Sequence, residues 1–215
     1  MIDLLKSEDH LEGLTSAQEG LALSLHDAGV ILFNFNEGFV LKSGLISPIY
    51  IDLRRIQSFP DSMDNATGAL IEQTAGLEFD RIAGVPEAAV PMAALVANRL
   101  RKPQITPRKD TKTHGIVRKI DGVFFPGETA LVLDDLITTG ASKFEVIDVL
   151  KENGLLVKDV VVVIDRQQGG EQQLAEKGFV LHAALKIKPT LQLYERVGRI
   201  THEEFTKVMD YLGGN

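Results

Sequence analysis

The strongest constraint on the fold is a pair of apolar runs separated by a segment with helical periodicity. The runs are ALVLDD at Ala130–Asp135 and VVVVIDR at Val160–Arg166. Between them, the apolar residues of a predicted helix recur on one side: Phe144, Ile147 and Leu150. Continuous apolar runs joined by helices indicate parallel strands that are buried on both faces. The chain is therefore predicted to have an α/β fold, with a mainly parallel central sheet flanked by helices.

The same order of elements is predicted further upstream, from residue 80 onwards. The pattern there is a strand RIAGV, a turn PEAAVP, a helix MAALVANRL and a strand KPQIT. Two more helices are predicted, over Asp61–Gly76 and over Thr201–Leu212. Thr201 and Glu204 have the spacing of a capping box, which favours a helix start at that point.

The N-terminal region predicts a helix and a hairpin. An amphipathic helix followed by a short apolar run is predicted over Ser16–Phe33, with Ser16 and Glu19 spaced as a capping box. The stretch FVLKSGLISPIYIDL contains two strand-like runs on either side of Ser43-Gly44. This arrangement predicts a β-hairpin.

Length and composition limit the possible functions. The 215 residues and 44% hydrophobic content are typical of one globular domain, which we expect to span residues 1–215. The net charge of −7 argues against a general nucleic-acid binder, and the absence of cysteine excludes disulfides and thiolate sites. The N-terminus lacks the pattern of a signal peptide, and no apolar run approaches the length of a membrane span. A cytoplasmic location without membrane contact is expected.

The stretch LVLDDLITTGAS combines two acids with a segment suited to an anion. Backbone N–H groups and hydroxyls from Thr138 to Ser142 precede a predicted helix, whose N-terminus favours negative charge. Asp134 and Asp135 close the preceding strand and would repel the same anion. A sugar phosphate fits both features, because carboxylates accept hydrogen bonds from its hydroxyls. The alternative is that Asp135 caps a turn and Asp134 forms a surface salt bridge.

Neither of the common nucleotide-binding motifs is present. The chain contains no G-x-x-x-x-G-K-[ST] and no G-x-G-x-x-G sequence. ATP hydrolysis and dinucleotide binding are therefore not indicated.

A cluster of cations, RKDTKTHG, stands out in this acidic chain. It contains Arg108, Lys109, Lys112 and His114, and it has no apolar periodicity, which is typical of a loop. A basic run is more often a solvated surface. Between two predicted strands, however, its cations could neutralise a diphosphate and stabilise it as a leaving group.

These motifs resemble a known family. LVLDDLITTGAS resembles the phosphoribosyl diphosphate (PRPP) binding motif of type I phosphoribosyltransferases, and RKDTKTHG resembles the catalytic loop of orotate phosphoribosyltransferases. FVLKSGLISPIYIDLR and VVVVIDRQQGG are similar to the same family and occur in the same order. The likeness spans roughly residues 35 to 170 and is closest to the transferase half of bifunctional UMP synthases.

The resemblance implies a fold, a reaction and a set of roles. The fold would be that of type I phosphoribosyltransferases, with a small N-terminal hood that contains the hairpin. The reaction would transfer the phosphoribosyl group of PRPP to orotate, in the synthesis of UMP. Mg²⁺ would accompany the diphosphate. The enzyme would be a homodimer in which loop 108–119 of one chain completes the site of the other.

Roles for individual residues also follow from the resemblance. Catalytic roles fall to Lys112, His114, Asp134 and Asp135. The two aspartates would hold the ribose hydroxyls. The 5′-phosphate would lie on the cradle formed by Thr138, Thr139, Gly140, Ala141 and Ser142. The diphosphate would be reached by Arg108, Lys109, Lys112 and His114. The positions near orotate are Lys42, Thr138 and Arg166.

Some alternatives remain open at this point. Arg166 offers a planar fork to the carboxylate of orotate, but it could instead pair with Asp165. The chain also departs from many bacterial relatives, because Glu87-Ala88 stands where they have an aromatic residue followed by lysine. Another base, such as a purine, and a regulatory protein that binds PRPP without turnover are the alternative functions.

Overall fold

The computed structural model describes residues 13–41, 44–108 and 119–213. Its helices are α1 (Ser16–Asp27), α2 (Pro60–Gln73), α3 (Val90–Leu100), α4 (Ala141–Glu152), α5 (Gly170–Glu176), α6 (Ile187–Arg196) and α7 (His202–Tyr211). Its strands are β1 (Ile31–Phe33), β2 (Phe39–Val40), β3 (Ile46–Ser47), β4 (Ile49–Ile51), β5 (Arg81–Gly84), β6 (Gln104–Pro107), β7 (Ile120–Asp121), β8 (Ala130–Ile137), β9 (Asp159–Asp165) and β10 (Val180–Lys186). A 3-10 helix spans Leu53–Ser58.

The described residues form a six-stranded central sheet in the order β10-β9-β8-β5-β6-β7. All neighbouring strands are parallel except β7, which runs antiparallel to β6 at the edge. The predicted α/β fold with a mainly parallel sheet is confirmed.

Burial explains why the two central strands have continuous apolar sequences. Residues Val160 to Ile164 of β9 are fully buried, and Ala130 to Leu133 of β8 are at most 1% exposed. Helices cover the sheet, with α2 against β9 and β10, α3 against β5, and α5 and α6 against β10. A strand covered on both faces has no solvent side on which polar residues would be favoured.

The N-terminal region forms two small antiparallel pairs. Strand β1 pairs with β4, and β2 pairs with β3 through the contact of Val40 with Ile46. The second pair confirms the predicted hairpin, although Lys42 and Ser43 at its turn lie outside the described residues.

The predicted capping box of α1 is wrong by one residue. Thr15, not Ser16, is the N-cap: its hydroxyl accepts from the backbone N–H of Gln18, and its own N–H donates to Gln18 Oε1 at 3.0 Å. The extended backbone of Thr15 places the start of the helix at Ser16. The box predicted for α7, with Thr201 and Glu204, is confirmed.

Two other boundaries differ from the prediction. Strand β8 does not end at Asp135 but continues to Ile137, which pairs with Asp165 of β9. Helix α2 begins at Pro60 and ends at Gln73, with a turn before Gly76. The extension of β8 places both aspartates within a strand, where successive side chains point to opposite faces.

Candidate active site

A cavity of about 680 Å³ lies at the carboxyl ends of β5, β6 and β8. This is where ligands bind in open parallel sheets. Its polar and charged lining residues are Asp52, Arg54, Glu87, Arg108, Asp134, Asp135, Ser142, Lys143 and Glu145. The structure therefore brings the predicted acid pair, one cradle residue and one loop cation to a single cavity.

Asp134 is buried in an ion pair with a residue that the sequence analysis did not single out. Its Oδ2 atom lies 2.6 Å from Nζ of Lys143, and both side chains are at most 6% exposed. Its Oδ1 atom accepts a hydrogen bond from the backbone N–H of Asp135 at 2.8 Å. The alternative of a surface salt bridge is wrong, because this pair is inside the protein.

Asp135 has different surroundings from its neighbour. Burial, and after it the negative charge of Asp134, together raise the pKa of its carboxyl to about 7. The backbone N–H of Leu136, which donates to Asp135 Oδ1 at 2.8 Å, opposes this rise. The two adjacent carboxyls thus have different surroundings: Asp134 is paired with Lys143, whereas the pKa of Asp135 is raised.

The predicted phosphate cradle forms the turn between β8 and α4. Gly140 is the N-cap of α4, and Ala141 and Ser142 form its first turn, where backbone N–H groups have no partner within the helix. Ser142 lines the cavity, whereas Thr138, Thr139, Gly140 and Ala141 are not among its lining residues. A Cβ at Gly140 would come within 2.5 Å of the Phe144 ring, so this turn needs glycine.

Arg108 is the described member of the predicted basic loop. Its side chain lines the cavity, and its Nε donates to Asp121 Oδ2 at 2.8 Å. Its backbone N–H donates to the carbonyl of Lys119, which joins the two ends of segment 109–118. The remaining predicted cations lie outside the described residues: Lys42, Lys109, Lys112 and His114.

Arg166 follows β9 and is adjacent to the cradle, since its backbone N–H donates to the carbonyl of Ile137 at 2.9 Å. Its Nε and Nη2 atoms are buried and have no hydrogen-bond partner in the described part of the chain. Burial lowers the pKa of the guanidinium, and the hydroxyl of Tyr211 in α7 partly offsets this effect. The alternative pairing with Asp165 is not observed, because that carboxylate accepts from the backbone N–H of Gln167 instead.

Five charged residues of the cavity were not predicted as ligands: Asp52, Arg54, Glu87, Lys143 and Glu145. Lys143 follows the cradle directly, and Asp52 and Arg54 come after β4 and form an ion pair at 2.6 Å. The signal for Arg54 was present in the motif SPIYIDLR, which the sequence analysis used only as a family resemblance. Glu87 and Ala88 also line the cavity, so the acidic side chain of Glu87 lies at the site.

The lining carboxylates fit a metal that the substrate carries. Across residues 13–41, 44–108 and 119–213, no group of three or more His, Cys, Asp or Glu side chains could hold a metal ion. Mg²⁺ usually keeps several waters and binds through substrate phosphates plus one or two carboxylates. Glu87, which lines the cavity, could supply one such carboxylate.

Comparisons with known proteins place the chain in a family. No protein-family model matches it. The orotate phosphoribosyltransferase of Caenorhabditis elegans is 40% identical over 171 residues, which cover 79% of this chain and 73% of that protein. The chain belongs to the orotate phosphoribosyltransferase family. The uridine 5′-monophosphate synthase of Bos taurus is 36% identical over 91% of the chain, which spans only 40% of that longer protein.

Solved structures of this family share the fold. The crystal structure of orotate phosphoribosyltransferase from Aeropyrum pernix superposes with a TM-score of 0.73, at 33% identity, over 84% of this chain and 99% of that one. The predicted type I phosphoribosyltransferase fold is confirmed. No helix in the described ranges is long and apolar enough to cross a membrane.

Proposed function

We propose that this chain transfers the phosphoribosyl group of PRPP to orotate, giving orotidine 5′-monophosphate and diphosphate. The observation that carries the proposal is the cavity in which Asp134 and Asp135 lie beside the start of α4. A ligand with hydroxyls at one end and a phosphate at the other fits this pairing of acids and amides.

The reaction needs no protein nucleophile. The bond between the anomeric carbon and the diphosphate oxygen breaks, and a ring nitrogen of orotate forms the new bond to that carbon. That nitrogen loses its proton to the departing diphosphate or to solvent. If cleavage runs ahead of bond formation, positive character develops on the ribose. The protein then contributes mainly by positioning the two substrates and by stabilising the departing diphosphate.

The donor is held at both ends in this proposal. Asp134 and Asp135 accept hydrogen bonds from the ribose hydroxyls, while the turn Thr138–Ser142 binds the 5′-phosphate. Arg108 and Arg54 face the same cavity and balance the charge of the diphosphate. Mg²⁺, carried by the diphosphate, would supply further positive charge to the leaving group.

The base is bound by Arg166 in this proposal. A buried guanidinium whose Nε and Nη2 lack partners is costly unless a ligand completes its hydrogen bonds. The carboxylate of orotate is planar and accepts two parallel bonds from such a fork. A purine has no carboxylate, so Arg166 favours orotate as the acceptor.

Residues outside the described part complete the proposed site. Lys109, Lys112 and His114 are assigned to the diphosphate of a neighbouring subunit, and Lys42 to the orotate end. Lys109, Lys112 and His114 lie between Arg108 and Lys119, whose backbone atoms are joined by a hydrogen bond. A homodimer located in the cytoplasm is part of the same proposal.

The function is tested by following orotate absorbance after PRPP and Mg²⁺ are added to the purified chain. We expect the absorbance of orotate to fall only when all components are present. Turnover of adenine or hypoxanthine but not orotate would establish a purine enzyme. PRPP binding without turnover of any base would establish a regulatory protein.

Shared sites are tested by mixing two inactive variants, Lys112→Ala and Asp135→Asn. In a homodimer with a crossing loop, mixed dimers contain one site with both native residues. We expect the mixture to regain about a quarter of the wild-type rate, because random exchange makes half of the dimers mixed and each mixed dimer has one intact site of two. A mixture that remains as inactive as its components would contradict shared sites.

A further inference from the structure

Lys143 occupies a position that helix stability does not explain. It lies in the first turn of α4, where the helix dipole disfavours a cation, and its side chain is only 5% exposed. Burying an ammonium group is costly unless it is paired and hydrogen-bonded. A lysine in a helix would ordinarily extend into solvent.

The ammonium donates to two residues of β8 and to the last residue of the cradle. Its Nζ lies 2.6 Å from Asp134 Oδ2, 2.6 Å from the carbonyl of Leu136 and 3.3 Å from Ser142 Oγ. An ammonium has three donors, so these contacts satisfy it completely. Together with the bond from Asp135 N–H to Asp134 Oδ1, they fix the orientation of the Asp134 carboxylate.

We propose that Lys143 is a positioning residue for the transfer reaction: it keeps Asp134 ionised and oriented, so that the exchangeable proton of the acid pair resides on Asp135. This inference rests on the proposed function, in which both acids hold the ribose. It also removes a difficulty of that site, since the lysine cancels one negative charge beside an anionic donor.

Other charged groups face the same acids across the cavity. They are Asp52 and Arg54 after β4, Glu87 after β5, Arg108 after β6 and Glu145 on α4. Of these, Arg54 is paired with Asp52 and Arg108 with Asp121. Within the described part of the chain, Lys143 is the cation whose nitrogen lies within ion-pair distance of the acid pair.

The test compares Lys143→Met, Asp134→Asn and the double variant with the wild type. For Lys143→Met we expect kcat/KM for PRPP to fall about 10- to 100-fold near neutral pH, as for loss of a group that orients a ligand contact. The acidic side of the pH profile of kcat/KM should move to higher pH in this variant, because the proton is then shared by Asp134 and Asp135. KM for orotate should remain within about twofold of wild type.

The double variant separates positioning from a general packing role. If Lys143 acts through Asp134, then Lys143→Met should cost little in the Asp134→Asn background, where no buried charge is left unpaired. An equal loss in both backgrounds, or an unchanged pH profile in Lys143→Met, would overturn the proposal. The double variant also keeps the test valid if Lys143→Met alone does not fold.

A measurement on the wild-type protein distinguishes this inference from the proposed function. Carbon-13 NMR of aspartate carboxyl groups, assigned with the two Asn variants, identifies which acid titrates near neutrality. We expect it to be Asp135, and titration of Asp134 in that range would refute the role of Lys143. Failure of the wild type to turn over orotate would refute the function while leaving this result intact.

Discussion

The side chain of Gln173 in α5 accepts a hydrogen bond from the backbone N–H of Gly140, with Oε1 and N separated by 3.0 Å. A residue 33 positions later in the chain thus holds the N-cap of α4, which is the centre of the proposed phosphate cradle. Since the N–H of Gly140 is engaged in this bond, the first-turn amides of Ala141 and Ser142 are the better candidates for the phosphate.

Replacing Gln173 by alanine should loosen the cradle. We expect KM for PRPP to rise about fivefold, corresponding to the loss of one hydrogen bond of about 1 kcal/mol, with kcat nearly unchanged. Gln172→Ala is the matched control, because Gln172 is on the same helix and its side chain donates to the exposed Glu176 at 3.0 Å. Equal effects of the two substitutions on KM would show that Gln173 does not support the cradle.

A glycine on the same helix tests how closely α5 approaches this turn. A Cβ at Gly170 would lie 2.6 Å from Ile137 Cγ1 and 3.1 Å from the carbonyl oxygen of Thr138. Gly170→Ala should therefore lower the free energy of unfolding by about 1–3 kcal/mol and raise KM for PRPP. Gly68→Ala on α2, where a Cβ meets nothing within 4 Å, should instead raise stability by about 0.5–1 kcal/mol. Thermal unfolding of both variants provides the measurement.

The sequence was sufficient to predict the sheet, because β8 and β9 carry long apolar runs with clear helical separators. It was not sufficient for the segment from Gly170 to Arg196, to which no elements were assigned. Strand β10 ends at Lys186 and α6 begins at Ile187, so no turn residues mark the boundary. The mixed sequence VLHAALK also lacks a simple apolar run.

The candidate site, like the fold, was only partly predictable from the sequence. Asp134, Asp135 and the cradle were predictable because they are contiguous in the chain and have a local chemical meaning. The ion pair of Asp134 with Lys143 depends on how α4 folds back against β8, which no local pattern encodes. A sequence-based interpretation assigns a helical lysine to solvent, so it also missed the asymmetry of the two acids.

That asymmetry makes stability depend on pH. The carboxyl of Asp135 has a pKa of about 7 in the folded protein, against an ordinary value of 3.8. Because the folded state retains the proton more strongly, this residue reduces stability as the pH rises from about 4 to about 7, and the loss is complete above that range.

Asp135→Asn should therefore stabilise the protein by up to about 4 kcal/mol at about pH 8, with a difference that shrinks towards about pH 4. Asp134→Asn should have the opposite effect, because it leaves Lys143 buried without its partner, at a cost of about 3–5 kcal/mol. Urea unfolding at several pH values measures both. A pH-independent difference between Asp135→Asn and the wild type would contradict the raised pKa.

The C-terminal helix supplies the last prediction, through the hydroxyl of Tyr211 beside Arg166. If Arg166 binds the carboxylate of orotate, then Tyr211→Phe should leave the guanidinium less well oriented. KM for orotate should rise about fivefold, while KM for PRPP should not change. Tyr50→Phe is the control, since the Tyr50 hydroxyl accepts from Arg54 Nη2 at 3.4 Å, beside the cavity. A selective effect of Tyr211→Phe on orotate would link α7 to the base site, and an effect on PRPP alone would place Arg166 at the donor instead.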